Sequence, residues 1–282
     1  MKKIFLSTLV ICMAFLTSCH KDPDHPHISE GLGTYKNLHK LFISGDFQYY
    51  YSYNQGQTWE SQGNTHINAG HEVYNWDIPG GLTSIIGNYT TPIEYRFSYN
   101  EDNHDQVSEI EFYYDGILAS HDVLLYSDSI ISQIQHFNSD GDLLSVEEIT
   151  YTGNKPTKIA RSSTSYTELT WSGNNLTEYT IYYTNDVTLR YTFTYDNHKN
   201  PFSESYALKT WAFCYALEKM SQNNVVSEVH KNLDNGTETV KNYSYNYYQN
   251  YPTEQIMRDE YVYESGDYLV KEISEIKKTF QY

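Results

Sequence analysis

The sequence predicts an all-β, mainly antiparallel chain: a long up-and-down β-meander forming a curved sheet or partly closed barrel, with one helix inserted around residues 203–222. Three observations carry this. Aromatic residues make up 16% of the 282, with 30 tyrosines, and aromatic side chains favour pleated, half-buried surfaces. From about residue 93 the chain alternates with period two, as where Tyr95, Phe97 and Tyr99 share one face and Arg96 and Ser98 the other. Turn-forming pairs such as Asp115-Gly116, Asp140-Gly141 and Gly153-Asn154 break the alternation at short intervals and supply the positive φ of tight hairpins. A net charge of −17 argues against nucleic-acid binding, which needs a basic footprint.

The elements follow in order. Residues 1–18 read as a signal peptide: Lys2 and Lys3 precede a 13-residue apolar stretch over 4–16. That stretch is too short for a bilayer, which needs roughly 20 residues. It ends in Leu16-Thr17-Ser18-Cys19, which resembles the bacterial lipobox. The resemblance implies a mature chain that begins at a lipidated Cys19, with fatty acyl groups such as palmitate anchoring it to a membrane. Two or more such chains make a stable anchor where one is marginal. Residues 19–34 read as a flexible tether. Their run His20-Lys21-Asp22-Pro23-Asp24-His25-Pro26-His27 holds metal-ligand residue types, but two prolines in a tail oppose a preorganised cage. Lysine followed by acidic residues at this place resembles the surface-export signal of Bacteroidota lipoproteins, which implies an outer-membrane lipoprotein facing the cell exterior.

Residues 35–282 read as one β-rich repeat domain, less regular over 35–90 and built of hairpin repeats over 91–282. In the first part, strands are expected at 47–53, 57–67, 71–77 and 82–86, with Gly45, Gly56, Gly63, Gly70 and Gly80-Gly81 as punctuation. The segment 203–222 carries Ala207, Leu208, Trp211, Ala212, Tyr215, Ala216 and Met220 at helical spacing. A helix there either lies on the sheet or plugs an open end. Cys12 leaves with the signal and Cys19 is lipidated, so Cys214 stands alone in an apolar run, as a buried, inert cysteine does.

An aromatic strand, a Tyr-Asp or Asp-Gly turn and a Leu or Ile strand together resemble the tyrosine-aspartate (Rhs-like) repeats. More closely, several ordered motifs are similar to a Bacteroidota lipoprotein family of unknown function described as having a porin-like fold. These are Tyr195-Asp196-Asn197-His198-Lys199-Asn200-Pro201-Phe202, then Asn223-Asn224-Val225, Tyr251-Pro252-Thr253 and Tyr261-Val262-Tyr263. The resemblance spans roughly residues 90–282, implies a curved or partly closed antiparallel sheet, and carries no catalytic residues. Such a sheet need not lie in the membrane. The last strand sets Glu272 and Lys278 on one face and Lys271, Glu275 and Lys277 on the other, and a charge near the membrane midplane costs roughly 2–4 kcal/mol. A soluble body on a lipid anchor is expected.

Chemistry is sparse. No Gly-x-Ser-x-Gly, P-loop or His-Glu-x-x-His pattern is present, so no catalytic residue, metal site or cofactor is assigned. The stretch Asn138-Ser139-Asp140-Gly141-Asp142 looks calcium-like but reads as a hairpin turn, and Glu147-Glu148 reads as a solvated strand edge. Trp59, Trp76 and Trp171 sit among Ser, Gly and Asn and are candidate ligand-contacting aromatics, against the alternative that such rings fill the sheet's packing face. Asp128-Ser129-Ile130 matches the Bacteroidota O-glycosylation pattern at Ser129. Together these features describe a cell-envelope lipoprotein that serves as a surface-exposed binding or scaffold module for a glycan or peptide, and not an enzyme. A structural component of envelope assembly and a glycan-active enzyme are the alternatives.

Overall fold

The computed structural model describes residues 38–52, 57–76, 81–183, 187–265 and 268–282. The meander closes completely. Its first half comprises β1 Lys40–Ser52, β2 Glu60–Trp76, β3 Leu82–Asn88, β4 Ile93–Asn100, β5 Asn103–Tyr114, β6 Ile117–Ser127, β7 Ile130–Asn138 and β8 Leu143–Thr152. The second comprises β9 Lys155–Ala160, β10 Tyr166–Ser172, β11 Asn175–Tyr182, β12 Thr188–Lys199, β13 Asn223–Asn232, β14 Glu238–Tyr248, β15 Tyr251–Ser265 and β16 Tyr268–Gln281. Each strand pairs with its sequence neighbour, and β1 pairs with β16 from Lys40↔Gln281 to Ser52↔Leu269. Closure leaves no edge strand to template aggregation. The predicted hairpins hold: Asp115-Gly116 and Asp128-Ser129 each take two consecutive positive φ values.

The first strands are continuous rather than punctuated. Gly63 and Gly70 lie inside β2, at the two register shifts against β1, with φ of 144° and 100°. A bulge gives one residue a conformation that glycine tolerates, so these glycines bend a long strand where the sequence suggested strand ends.

Residues directly opposed across two strands share a face, so the register assigns every side chain to lumen or exterior. Leu41 opposes Phe280 and both are buried, which marks the lumen side. The same face carries Tyr95 and Phe97 of β4, Ile110 of β5, Leu124 of β6 and Ile134 of β7. The exterior carries charge all round. It holds the pairs Asp46–His66, Glu94–Arg96, Glu109–His121, Glu178–Arg190, Lys231–Glu238, Glu254–Lys277 and Glu260–Lys271. A membrane barrel has an outward apolar band, and a Lys or Arg at its midplane costs about 2–4 kcal/mol. The buried apolar residues thus face the lumen, and charged pairs are spread over the outer face.

One device recurs at the rim where even-numbered strands end. Tyr99 donates its hydroxyl to Leu82 O at 2.7 Å, Tyr126 to Val107 O at 2.7 Å, Tyr151 to Ile131 O at 2.8 Å and Tyr245 to Val225 O at 2.8 Å. Tyr195 does the same to Leu176 O and Tyr282 to Pro252 O, while Trp76 and Trp171 use their indole N–H on Leu38 O and Pro156 O. Each of the eight hairpins thus has one aromatic tied to the start of its first strand. The spacing between donor and acceptor, often 17 to 20 residues, is the length of one hairpin. The hydroxyls of Thr83, Ser132, Thr157, Thr177 and Thr253 satisfy the carbonyls just before or near those aromatics. The sequence repeat is thus a repeated backbone lock.

The helical insertion occupies the lumen. It consists of helix α1, Tyr206–Tyr215, flanked by 3-10 turns at Pro201–Ser203 and Leu217–Met220, so the predicted helix over 203–222 is broken into three pieces. Ser205 caps α1 by accepting from Leu208 N. Ala207, Leu208, Thr210, Trp211, Ala212 and Phe213 are all buried, a distribution around the helix that fits a plug rather than a surface helix. The family-like motif at 195–202 is its hinge. Asn200 accepts from Phe202 N and donates to Lys219 O and Ser221 O, joining both ends of the insertion. Asp196 accepts from His198 N and Asn224 N, and also from the Tyr247 hydroxyl.

Candidate functional site

Filling a sixteen-strand lumen with one short helix leaves space. A cavity of about 260 Å³ lies between the end of α1 and strands β8–β11, and a smaller one of about 110 Å³ lies between the 3-10 turns and β13–β16. The larger is lined by Glu147, Arg161, Tyr179, Tyr183, Tyr215 and Glu218 among others. Glu218 lines both.

A polar chain runs along the wall beside the larger cavity. The Tyr215 hydroxyl donates to Asp122 Oδ2 at 2.6 Å, and His136 Nδ1 meets Asp122 Oδ1 at 2.7 Å. On its other side His136 Nε2 lies 3.5 Å from Glu147 Oε2, an ion-pair contact longer than a normal hydrogen bond. Glu147 Oε1 accepts from Arg161 Nε at 2.7 Å and Nη2 at 2.6 Å. Five side chains from α1, β6, β7, β8 and the segment after β9 are thereby joined.

The electrostatics follow from this wiring. The hydrogen bond to Asp122, with Glu147 behind it, raises the His136 imidazole to about 9 against the opposing effect of burial. Burial alone would raise the Glu147 carboxyl, but His136 and Arg161 outweigh it and hold the group below its usual range. Burial raises the Tyr215 hydroxyl and the Cys214 thiol, and the Asp122 charge adds to both. Neither is an activated nucleophile, since that needs a lowered pKa. Burial also raises the Glu218 carboxyl, partly offset by Lys219.

The sequence-predicted candidates fall in different places. Trp76 and Trp171 are two of the eight rim locks and pack on the core. Trp59 immediately precedes β2, with Lys271 Nζ 4.8 Å from its ring centroid. Ser129 is exposed at the β6–β7 turn, with φ of 69°. Cys19, the signal segment and the tether lie outside the described residues. Glu147 is not at a solvated edge: consecutive strand residues face opposite ways, so Glu148 points out while Glu147 points into the lumen. Asp122, His136, Arg161 and Glu218 were not singled out from the sequence. Asp122 and His136 stand opposite each other only because of a bulge at Leu125–Tyr126: a regular hairpin turning at 128–129 would set Asp122 opposite Gln135.

Fold and cavity together define a closed barrel with charged pairs on its outer wall and a plugged, partly empty lumen. Among solved structures, a porin-like protein from Bacteroides uniformis shares this fold, with a TM-score of 0.50 and 10% identity over 86% of this chain and 96% of that one. At that identity the likeness is one of fold alone. A second porin-like protein, from Bacteroides vulgatus, aligns at a TM-score of 0.35 and 7% identity over 83% of this chain and 97% of that one, and nothing further rests on it. No protein-family model and no curated protein matches the sequence.

Proposed function

We propose that the protein is a cell-envelope lipoprotein, anchored to the outer membrane through Cys19 and facing the exterior, whose barrel is a binding module for a small glycan or peptide group. The observation that carries this is the inverted wall: charged pairs outside, and inside a 260 Å³ cavity ringed by tyrosines and a wired carboxylate–histidine–arginine chain. Small-molecule pockets usually run about 300–1,000 Å³. This cavity therefore suits one sugar ring or one amino-acid side chain. Tyrosines offer stacking faces and hydroxyls at little entropic cost. In this reading the lipid anchor supplies the membrane partner.

Metabolic labelling with palmitate tests the anchor: label enters the wild-type protein and is lost in Cys19→Ala. Protease treatment of intact cells tests the exterior placement, and a chain that stays intact until lysis would refute it. Binding to a glycan and peptide array tests the module. An empty array, together with envelope defects in a deletion strain, would favour a structural role in envelope assembly instead.

A glycan-active enzyme is kept as a second reading on one observation. Glu147 and Glu218 line the same cavity, and their surroundings push their pKa values in opposite directions, as an acid–base pair requires. Release of a chromophore from aryl glycosides, absent in Glu218→Gln, would establish it.

A further inference from the structure

We infer that the larger lumen cavity is a site for a small organic ammonium group, with Glu218 as its counter-ion and Tyr179, Tyr183 and Tyr215 as its aromatic walls. The inference deepens the binding reading and rests on it.

The charge inventory of the cavity leads there. Glu147 and Arg161 cancel as a two-bond pair, and His136 and Asp122 sit behind them. Glu228, the other carboxylate of the two cavities, is held by His230 and Tyr243. Glu218 differs. Among the described residues no other side chain hydrogen-bonds or ion-pairs with its carboxylate, although protein surrounds it. What surface it keeps opens on the cavities. The adjacent Lys219 is turned away, with its ammonium 4.5 Å from the Phe202 ring centroid and 4.8 Å from that of Trp211. Lys278 lines the smaller cavity only. Of the carboxylates lining the larger cavity, Glu218 is thus the one without an ion-pair partner among the described side chains, with Lys219 and Lys278 acting on it only from a distance.

The walls suit a cation. Tyr179, Tyr183 and Tyr215 all line the cavity, and Tyr215 is held in place by its hydroxyl on Asp122 and by the Tyr95 ring 5.0 Å away. Aromatic faces attract a desolvated cation, and a carboxylate beside them completes the cage. A neutral ligand would leave the half-buried Glu218 carboxylate without a directly contacting cation, whereas an ammonium group would supply one. A cation supplies the missing partner.

Amino sugars and lysine-type amines share this chemistry. Calorimetric titration of the full chain with glucosamine and with lysinamide separates the two sources. N-acetylglucosamine and Nα,Nε-diacetyl-lysinamide serve as their neutral counterparts. At least one amine should bind the wild type, with at least tenfold weaker binding of its acetylated counterpart. Glu218→Gln should lose at least tenfold for that amine, while Glu168→Gln on the outer wall should bind as the wild type does. Circular dichroism checks that the variant folds, and the acetylated probes test charge without any substitution. Equal binding of amine and acetylated probes, or unchanged binding by Glu218→Gln, overturns the ammonium site and leaves the lumen-binding reading standing. No binding of either probe class overturns both.

Discussion

Removing rim locks isolates what the tyrosine repeat contributes. The perturbation is the triple substitution Tyr99→Phe, Tyr126→Phe and Tyr151→Phe, which keeps all three rings and removes only hydroxyls that donate at 2.7, 2.7 and 2.8 Å. A net intramolecular hydrogen bond is worth about 0.5–1.5 kcal/mol, and more where a buried carbonyl is left without its donor. Two of the acceptors belong to Leu82 and Val107, whose side chains are fully buried, so about 1–2 kcal/mol per lock is expected. The three sit on alternate strands, roughly 10 Å apart, which is far enough for their effects to add. The sum is about 3–6 kcal/mol, a large share of a typical 5–15 kcal/mol stability. Urea unfolding followed by circular dichroism reads it directly. Tyr182→Phe is the control, since its hydroxyl meets Glu168 at 3.3 Å on the exposed outer wall and should change stability by less than about 0.5 kcal/mol. A triple variant as stable as this control would refute the lock as the repeat's purpose.

Two further outcomes follow from the lumen. The folded-state pKa of His136, about 9, stands above its ordinary 6.5, so the stability it adds is complete below 6.5 and is lost as pH rises through 9. The amount is at most about 3 kcal/mol, and His136→Gln should flatten the stability–pH curve in that window; an unchanged slope in urea titrations would contradict the ion-pair chain. Asn200→Ala strips hydrogen bonds to Phe202 N, Lys219 O and Ser221 O and should cost about 2–4 kcal/mol. Hydrogen exchange should accelerate first in α1 and its flanking turns, and uniform acceleration across the barrel would deny the hinge.

Strand alternation and Asp-Gly turns made the meander legible, because both are local. Closure was not, since β1 and β16 stand at opposite ends of the sequence and their pairing is a property of the whole sheet's twist and stagger. The tyrosines were read as a packing face, and Tyr95 and Tyr179 do pack inward. Their second role, as donors to a carbonyl one hairpin away, needs the register and left no mark in composition. Trp76 and Trp171 stood out as candidate ligand-contacting aromatics because of their polar neighbours, and their indole N–H bonds to Leu38 O and Pro156 O become visible only with the register known. Glu147 looked like part of an exposed acidic pair, and only alternation across a known strand separates it from Glu148. Glu218 carried no signal at all: a glutamate after a helix is ordinary until both cavities open onto it.

Phase separation in Triton X-114 tests most directly whether this porin-like wall faces water on its outside, using residues 38–282 shown by circular dichroism to be folded. The outer face, charged from β1 round to β16, predicts recovery in the aqueous phase as a monomer that needs no detergent. Recovery in the detergent phase would contradict it and make the barrel a membrane-embedded one.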